Sequence, residues 1–141
     1  MFRLNFQFIN MKWLYLFLLI LPLCFLSADS TDIIDKTAEL IKQGDIHELA
    51  SSFSSTIELT VLDEGNVYSN AQAEQILTNF FKRNQPKSVK VLHRITSNAN
   101  YRFAVLILAT NNGVYRTSLS LKNVNGRFEL NELRIETEKA K

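Results

Sequence analysis

Apolar positions change their spacing along the chain, and each spacing predicts a different element. Trp13 to Leu26 is apolar without interruption. From Ile33 the period is helical, with Ile33, Ile34, Thr37, Ala38 and Ile41 on one face. Asp32 is placed to cap that helix and Gly44 to stop it. Asp45-Ile46-His47-Glu48 has the spacing of a capping box. A short second helix should follow it, with Ile46, Leu49 and Phe53 on one side. Over Thr56–Leu62 the period drops to two, where Ile57, Leu59 and Val61 alternate with Glu58 and Thr60. That predicts a strand with one wet face. Asp63-Glu64-Gly65-Asn66 reads as a turn. Ser69-Asn70-Ala71-Gln72 is another capping box. It opens a third helix that carries Ala73, Ile76, Leu77, Phe80 and Phe81 and ends before Pro86.

The second half reads as strands. Turn signals at Asn98-Ala99-Asn100, Asn111-Asn112-Gly113 and Asn125-Gly126 divide it into Ser88–Ser97, Tyr101–Thr110, Val114–Lys122 and Arg127–Glu136. Such spacing suits an antiparallel meander. A two-residue Asn112-Gly113 loop would pair Asn111 with Val114, Leu106 with Leu119 and Ala104 with Leu121. That face is apolar on both strands and should meet the helices. The other face would place Ile107, Val105 and Ala109 beside Ser118, Ser120 and Arg116. Ala104–Ala109 is apolar without alternation, which implies cover on both faces. Three helices can cover only one. A second copy of the sheet would cover the other; shielding by long side chains such as Arg116 and Lys122 is the alternative. In the last strand, Phe128 and Leu130 have one parity while Leu133 and Ile135 have the other. A bulge near Asn131-Glu132 would put all four on one face and bend the sheet.

Composition adds limits. The chain has 141 residues, 46% of them apolar and 21% charged, with 4 Gly and 2 Pro. That is one globular domain. Arg3 and Lys12 are the only charges before Asp29. The apolar run is too short for a spanning helix, which needs roughly 17–25 residues. Ser27-Ala28 after it is small and neutral. These features predict a signal peptide over 1–28, cleaved after Ala28, and an exported domain over 29–141, periplasmic or extracellular. The membrane would be met only during export. An uncleaved membrane anchor is the alternative reading, and Met11 is an alternative start. Cys24, the single cysteine, would leave with the signal, so thiol catalysis and disulfides are not expected. Asp29–Phe81 carries ten acidic and two basic residues, and Lys82–Lys141 twelve basic and four acidic. The plainer meaning is attraction between two halves of one domain. A basic surface for an anionic partner is the other. The balanced total gives no sign of nucleic-acid binding.

Candidate chemistry is sparse. His93 lies in a predicted strand and titrates near neutral pH. As a general base it would need an orienting carboxylate, for which Glu58 and Glu132 are the candidates. A structural histidine is the plainer reading, and His47 reads as a surface residue. Arg116 and Arg134, with Glu132 and Glu136, could hold an anion or pair across strands. Tyr68, Tyr101, Phe80, Phe81 and Phe103 could line a pocket or fill the core. Lys82-Arg83, Lys87 and Lys90 read as a solvated cluster around Pro86. Metal-ligand spacing, a Gly-rich phosphate loop and a Gly-x-Ser-x-Gly elbow are all missing, so no cofactor or metal is expected.

The residues Gly44-Asp45, Leu49, Phe53, Glu58-Leu59, Tyr68-Ser69, Gln72-Ala73-Glu74, Phe80-Phe81, His93, Tyr115-Arg116 and Glu132-Leu133-Arg134-Ile135-Glu136 follow a familiar order. In that order the chain resembles the nuclear-transport-factor-2-like superfamily of cystatin-like cone folds. More narrowly, it resembles an exported bacterial family of uncharacterised domains within it. The resemblance implies an α+β fold, with three N-terminal helices on a curved antiparallel sheet, often an open cone and often a sheet-to-sheet homodimer. Superfamily isomerases and cyclases use a carboxylate base, and dehydratases use His with a carboxylate. Fold alone does not transfer either activity. The expectation is a non-enzymatic domain that binds a small apolar or anionic ligand, or a protein partner, through its cone or sheet. The tentative contacts are His93, Tyr101, Tyr115, Arg116 and Arg134. A homodimeric assembly module without ligand is the first alternative, and an isomerase- or dehydratase-like enzyme using His93 the second.

Overall fold

The structure, a computed structural model, describes residues 31–139. The predicted signal peptide and Cys24 lie outside the described residues. Helix α1 spans Ile33–Gln43 and α2 spans Ile46–Ala50; strand β1 spans Phe53–Val61 and β2 spans Glu64–Ser69. Helix α3 spans Asn70–Arg83, and strands β3 (Pro86–Ile95), β4 (Tyr101–Thr110), β5 (Val114–Val124) and β6 (Arg127–Thr137) complete the chain.

The predicted caps form. The Asp32 carboxylate accepts from the Ile34 amide, and Ser69 closes a full capping box with Gln72. Gly44 ends α1 in the left-handed region at φ 68°, a conformation glycine reaches without a Cβ penalty. Asp45 accepts from the Glu48 amide. Its own amide already donates to the Leu40 carbonyl at 3.1 Å. That closing bond of α1 occupies the donor the Glu48 side chain would need, so only half of the second box is made.

The sheet order is β2-β1-β6-β5-β4-β3. All neighbours are antiparallel except β1 and β6. Helix α1 packs on β3 and β4, and α3 on β1 and β2, so the helices cover one face. Between them lies the core, with Leu59, Leu77, Leu106, Leu108, Leu119, Leu130 and Leu133 fully buried. This is the α+β arrangement expected, with one parallel pair added.

Several local expectations are corrected. Strand β1 begins at Phe53, which the helical spacing had placed on α2. Of the turn predicted at Asp63–Asn66, only Asp63 lies in the turn, and Glu64–Asn66 is strand. The loop is Leu62-Asp63, and Val61 pairs with Glu64. Gly65 is needed within β2, because a Cβ there would lie 2.6 Å from Thr60 Oγ1. The β4–β5 loop is Asn111-Asn112, so Ala104 pairs with Leu119 and Leu106 with Thr117, two residues from the predicted register. Asn111 is held by Gln85, which takes its amide bond at 3.1 Å and donates to its side chain at 2.9 Å. Thr110 Oγ1 bonds the next turn of chain. A two-residue shift keeps every side chain on its predicted face. The Asn125-Gly126 loop forms as predicted, with both residues at positive φ.

The bulge predicted near Asn131-Glu132 is present. Leu121 pairs with Leu130 and Ser120 with Glu132, leaving Asn131 as the extra residue. It lets Leu130, Leu133 and Ile135 all reach the core, with Phe128 packed against it. Three further register shifts were not foreseen, one in β1 between Phe53 and Glu58 and two in β3, at Lys87 and at Leu92.

Candidate functional site

A cleft of about 490 Å³ with a partly apolar wall lies between the β1–β2 hairpin and α3. The alternation of β1 turns Leu59 and Val61 towards it, and the helical repeat of α3 supplies Ile76 and Phe80. Tyr68 of β2 adds an aromatic edge. Asn79, Arg83 and Asn84 stand on the α3 side of the mouth, and Asp63 and Glu64 on the hairpin side. Asn84 is fixed from behind: its Oδ1 accepts from the Tyr115 hydroxyl at 2.8 Å, and its Nδ2 donates to the Phe80 carbonyl at 3.0 Å. The volume lies in the range of small-molecule sites, about 300–1,000 Å³.

Leu62 stands on the lip of this cleft at φ 58°, with 41% of its surface exposed. It is the first residue of a two-residue hairpin loop, a place where positive φ normally calls for glycine. A branched, Cβ-bearing residue there costs roughly 1–2 kcal/mol. The strain is held because the Leu62 amide donates to the Ile135 carbonyl at 2.7 Å, extending the β1–β6 ladder.

The five residues singled out from the sequence do not converge. Register places His93, Tyr101, Arg116 and Arg134 on the helix-free face of the sheet. Tyr115 points the other way and is buried against Phe80, ring centroids 5.3 Å apart. On the helix-free face a polar chain crosses three strands. The Tyr101 hydroxyl lies 3.2 Å from Ser120 Oγ, which donates to Glu132 at 3.2 Å. Glu132 lies 3.9 Å from Arg134 Nε, close enough for charge attraction but too long for a hydrogen bond. Arg116 faces Glu136 in register, without an ion pair between them among the described residues. His93 makes no side-chain hydrogen bond among the described residues. It sits on β3, three strands from Glu132 and four from Glu58. At about 4.8 Å per strand, those carboxylates are about 14 and 19 Å away. They cannot orient its imidazole.

Of the aromatic set, Tyr68 and Phe80 line the cleft, while Phe81 lines a broader groove of about 740 Å³ between the α1–α2 turn and α3. Arg83, Asn79 and Leu62 were missed. Arg83 read as one of four solvated cations, and only the packing of α3 on β1 and β2 separates it from the others. Among the described residues no three His, Cys, Asp or Glu side chains gather as a metal would require. No described helix is long and apolar enough to cross a membrane.

Among the described residues, one arginine ties the acidic half to the basic half by two ion pairs. Arg94 of β3 clamps Asp35 with two bonds of 2.7 and 3.1 Å and reaches Asp32 at 3.3 Å. The hydrogen bond from Arg94 and its charge hold the Asp35 carboxyl below its usual range. The stabilisation is therefore present above the unfolded carboxylate value and lost as pH falls through the lower folded value. Arg94→Gln should cost no more than about 1 kcal/mol near neutral pH, since the pair is exposed. Urea unfolding across pH should show that gap closing below about pH 4. A gap that persists at pH 2 would mean Arg94 acts by packing. Between α2 and α3, the hydrogen bond that His47 donates to the Glu74 carboxylate, with the charge of that carboxylate, raises the His47 pKa.

The family model described as a domain of unknown function, DUF4783, matches residues 34–136. The chain belongs to the DUF4783 family. A DUF4783 protein from Bacteroides uniformis superposes with a TM-score of 0.73 at 20% identity, over 77% of this chain and all of that one. A cystatin-like domain of unknown function from Nostoc punctiforme gives 0.59 at 9% identity, over 74% of this chain and 72% of that one. A designed protein named for the NTF2 fold gives 0.57 at 16% identity, over 72% and 92%. These likenesses show the fold. No curated protein matches the chain. Membership in DUF4783 therefore brings an architecture and leaves the activity to be read from the site.

Proposed function

We propose that this DUF4783 chain is a non-catalytic binding domain that holds a small amphipathic molecule in the cleft between the β1–β2 hairpin and α3. The observation that carries the reading is the apolar wall of Val61, Tyr68 and Ile76, left half-buried above the fully buried Leu59 and ringed by a few polar groups. Partly solvated apolar surface inside a concavity gains free energy when a ligand displaces its water. The separation of His93 from Glu58 and Glu132 speaks against the isomerase- or dehydratase-like alternative. We further read the domain as exported, on the strength of the apolar run before Ser27-Ala28.

Native mass spectrometry of the protein purified from its native host tests the reading. A bound small-molecule mass is expected, and Ile76→Glu, which places a charge on the wall, should remove it while leaving the unfolding temperature within a few degrees. A clean protein mass, or a ligand retained by Ile76→Glu, would sink the cleft assignment.

A second reading, a homodimer through the helix-free face, is favoured by one feature. Phe103 and Ile107 remain half-buried there, and Ile95 is 40% exposed in the same row as Phe103. Val105 is already only 7% exposed within one chain, so shielding by neighbouring side chains accounts for part of the apolar run. The same spectra read the oligomeric state. A dimer that Ile107→Asp converts to monomer supports this reading, and a wild-type monomer removes it.

A further inference from the structure

We infer that the cleft takes a zwitterion: a molecule with an ammonium group, a carboxylate and an apolar body between or beside them, the simplest example being a short apolar peptide. The inference rests on the cleft reading above and adds the ligand's charge. Three ionisable side chains ring the mouth, Asp63 and Glu64 on the hairpin and Arg83 at the end of α3. None of the three has an ion-pair partner among the described residues, although they share one concavity. Charges of opposite sign on facing walls that do not pair with each other define a field across the cleft. A single anion would be drawn to Arg83 but repelled by the two carboxylates, and a single cation the reverse. A ligand bearing both charges satisfies both walls. Its apolar body would lie on Val61, Ile76 and Tyr68, under the Leu62 side chain. At φ 58° that side chain sits where glycine would relieve the backbone.

The test uses one apolar body in four charge states: Leu-Leu, acetyl-Leu-Leu, Leu-Leu-amide and acetyl-Leu-Leu-amide, titrated into the full protein by calorimetry at low salt. Leu-Leu should bind up to about fivefold tighter than either singly charged peptide, the upper size expected for the one exposed ion pair that each of those lacks. The advantage should shrink at about 0.5 M salt, where the screening length falls to a few ångströms. Arg83→Gln should make Leu-Leu and Leu-Leu-amide equal. Asp63→Asn with Glu64→Gln should make Leu-Leu and acetyl-Leu-Leu equal. Both changes are on exposed side chains and should leave folding intact. Leu62→Gly should raise the unfolding temperature and weaken all four peptides, the reverse of a purely structural effect. Free leucine, run in parallel, separates an amino acid from a peptide within the same chemistry. Equal binding of all four peptides, abolished by Ile76→Glu, would overturn the charge assignment and leave the cleft standing. Binding of none would overturn the zwitterion, and the native mass measurement then decides separately whether the cleft goes with it.

Discussion

Leu133→Ala should cost about 3 kcal/mol of stability, while Arg134→Ala, one position along, should cost no more than about 1 kcal/mol. The two side chains leave the same strand on opposite faces. Leu133 is fully buried, flanked in register by Leu59 on β1 and Leu119 on β5. Truncating it removes the transfer free energy of its methyl groups and leaves a cavity that those leucines cannot fill by small shifts, because interiors are packed at crystal density. Arg134 stands on the helix-free face with 43% of its side chain exposed and only a loose pairing to Glu132. For a domain of this size the first change should lower the unfolding temperature by about 10–20 °C. Thermal unfolding followed by circular dichroism measures both. If Arg134→Ala proved the more damaging, the strand would run without the bulge at Asn131, since one residue fewer exchanges the two faces.

Tyr115→Ala should cost about 3–5 kcal/mol, a large share of the roughly 5–15 kcal/mol that holds a small domain together. Its ring is buried edge-on against Phe80, which in turn packs edge-on against Phe81. Tyr115→Phe keeps the ring and should cost about 1 kcal/mol. The lost hydroxyl is the donor to Asn84 Oδ1, and Asn84 is only half-buried, so water can replace it. Because Asn84 lines the cleft, Tyr115→Phe should also loosen one polar contact of the site while the fold survives. Chemical denaturation of the two variants separates these roles. Equal losses for Phe and Ala would mean that the hydroxyl, and not the ring, is what Tyr115 contributes.

Much of the site was open to sequence reasoning only in part. Tyr68 and Phe80 stand out as aromatics near strand and helix signals, and both line the cleft. Arg83 looks like its neighbours Lys82, Lys87 and Lys90 in composition. What selects it is its position on α3 facing the β1–β2 hairpin. His93 and Glu132 are the residue types an acid–base pair needs, but the sheet order keeps them three strands apart. That separation follows from the meander the turn spacing predicts; what no local pattern encodes is the place of Glu58, because β1 enters beside β6 by a parallel pairing between the two ends of the domain.

The sequence by itself determined what depends on near neighbours. The helix caps at Asp32 and Ser69, the stop at Gly44, the Asn125-Gly126 hairpin and the alternation that sorts each strand into two faces are all short-range consequences of side-chain size and hydrogen bonding. Even the Asn131 bulge was legible, because a clash of parity within one strand admits few solutions. Tertiary structure decided what depends on distant partners. The β4–β5 loop slipped to Asn111-Asn112 because Gln85, far away in sequence, binds Asn111. Glu64–Ser69 became a strand because β1 offered it a ladder. Tyr115 became core because Phe80 and Asn84 lie over its face of the sheet. The cleft exists because α3 packs on the β1–β2 hairpin without closing over its mouth. In each case the deciding contact joins residues whose proximity is created by the fold, so their identities alone could not announce it.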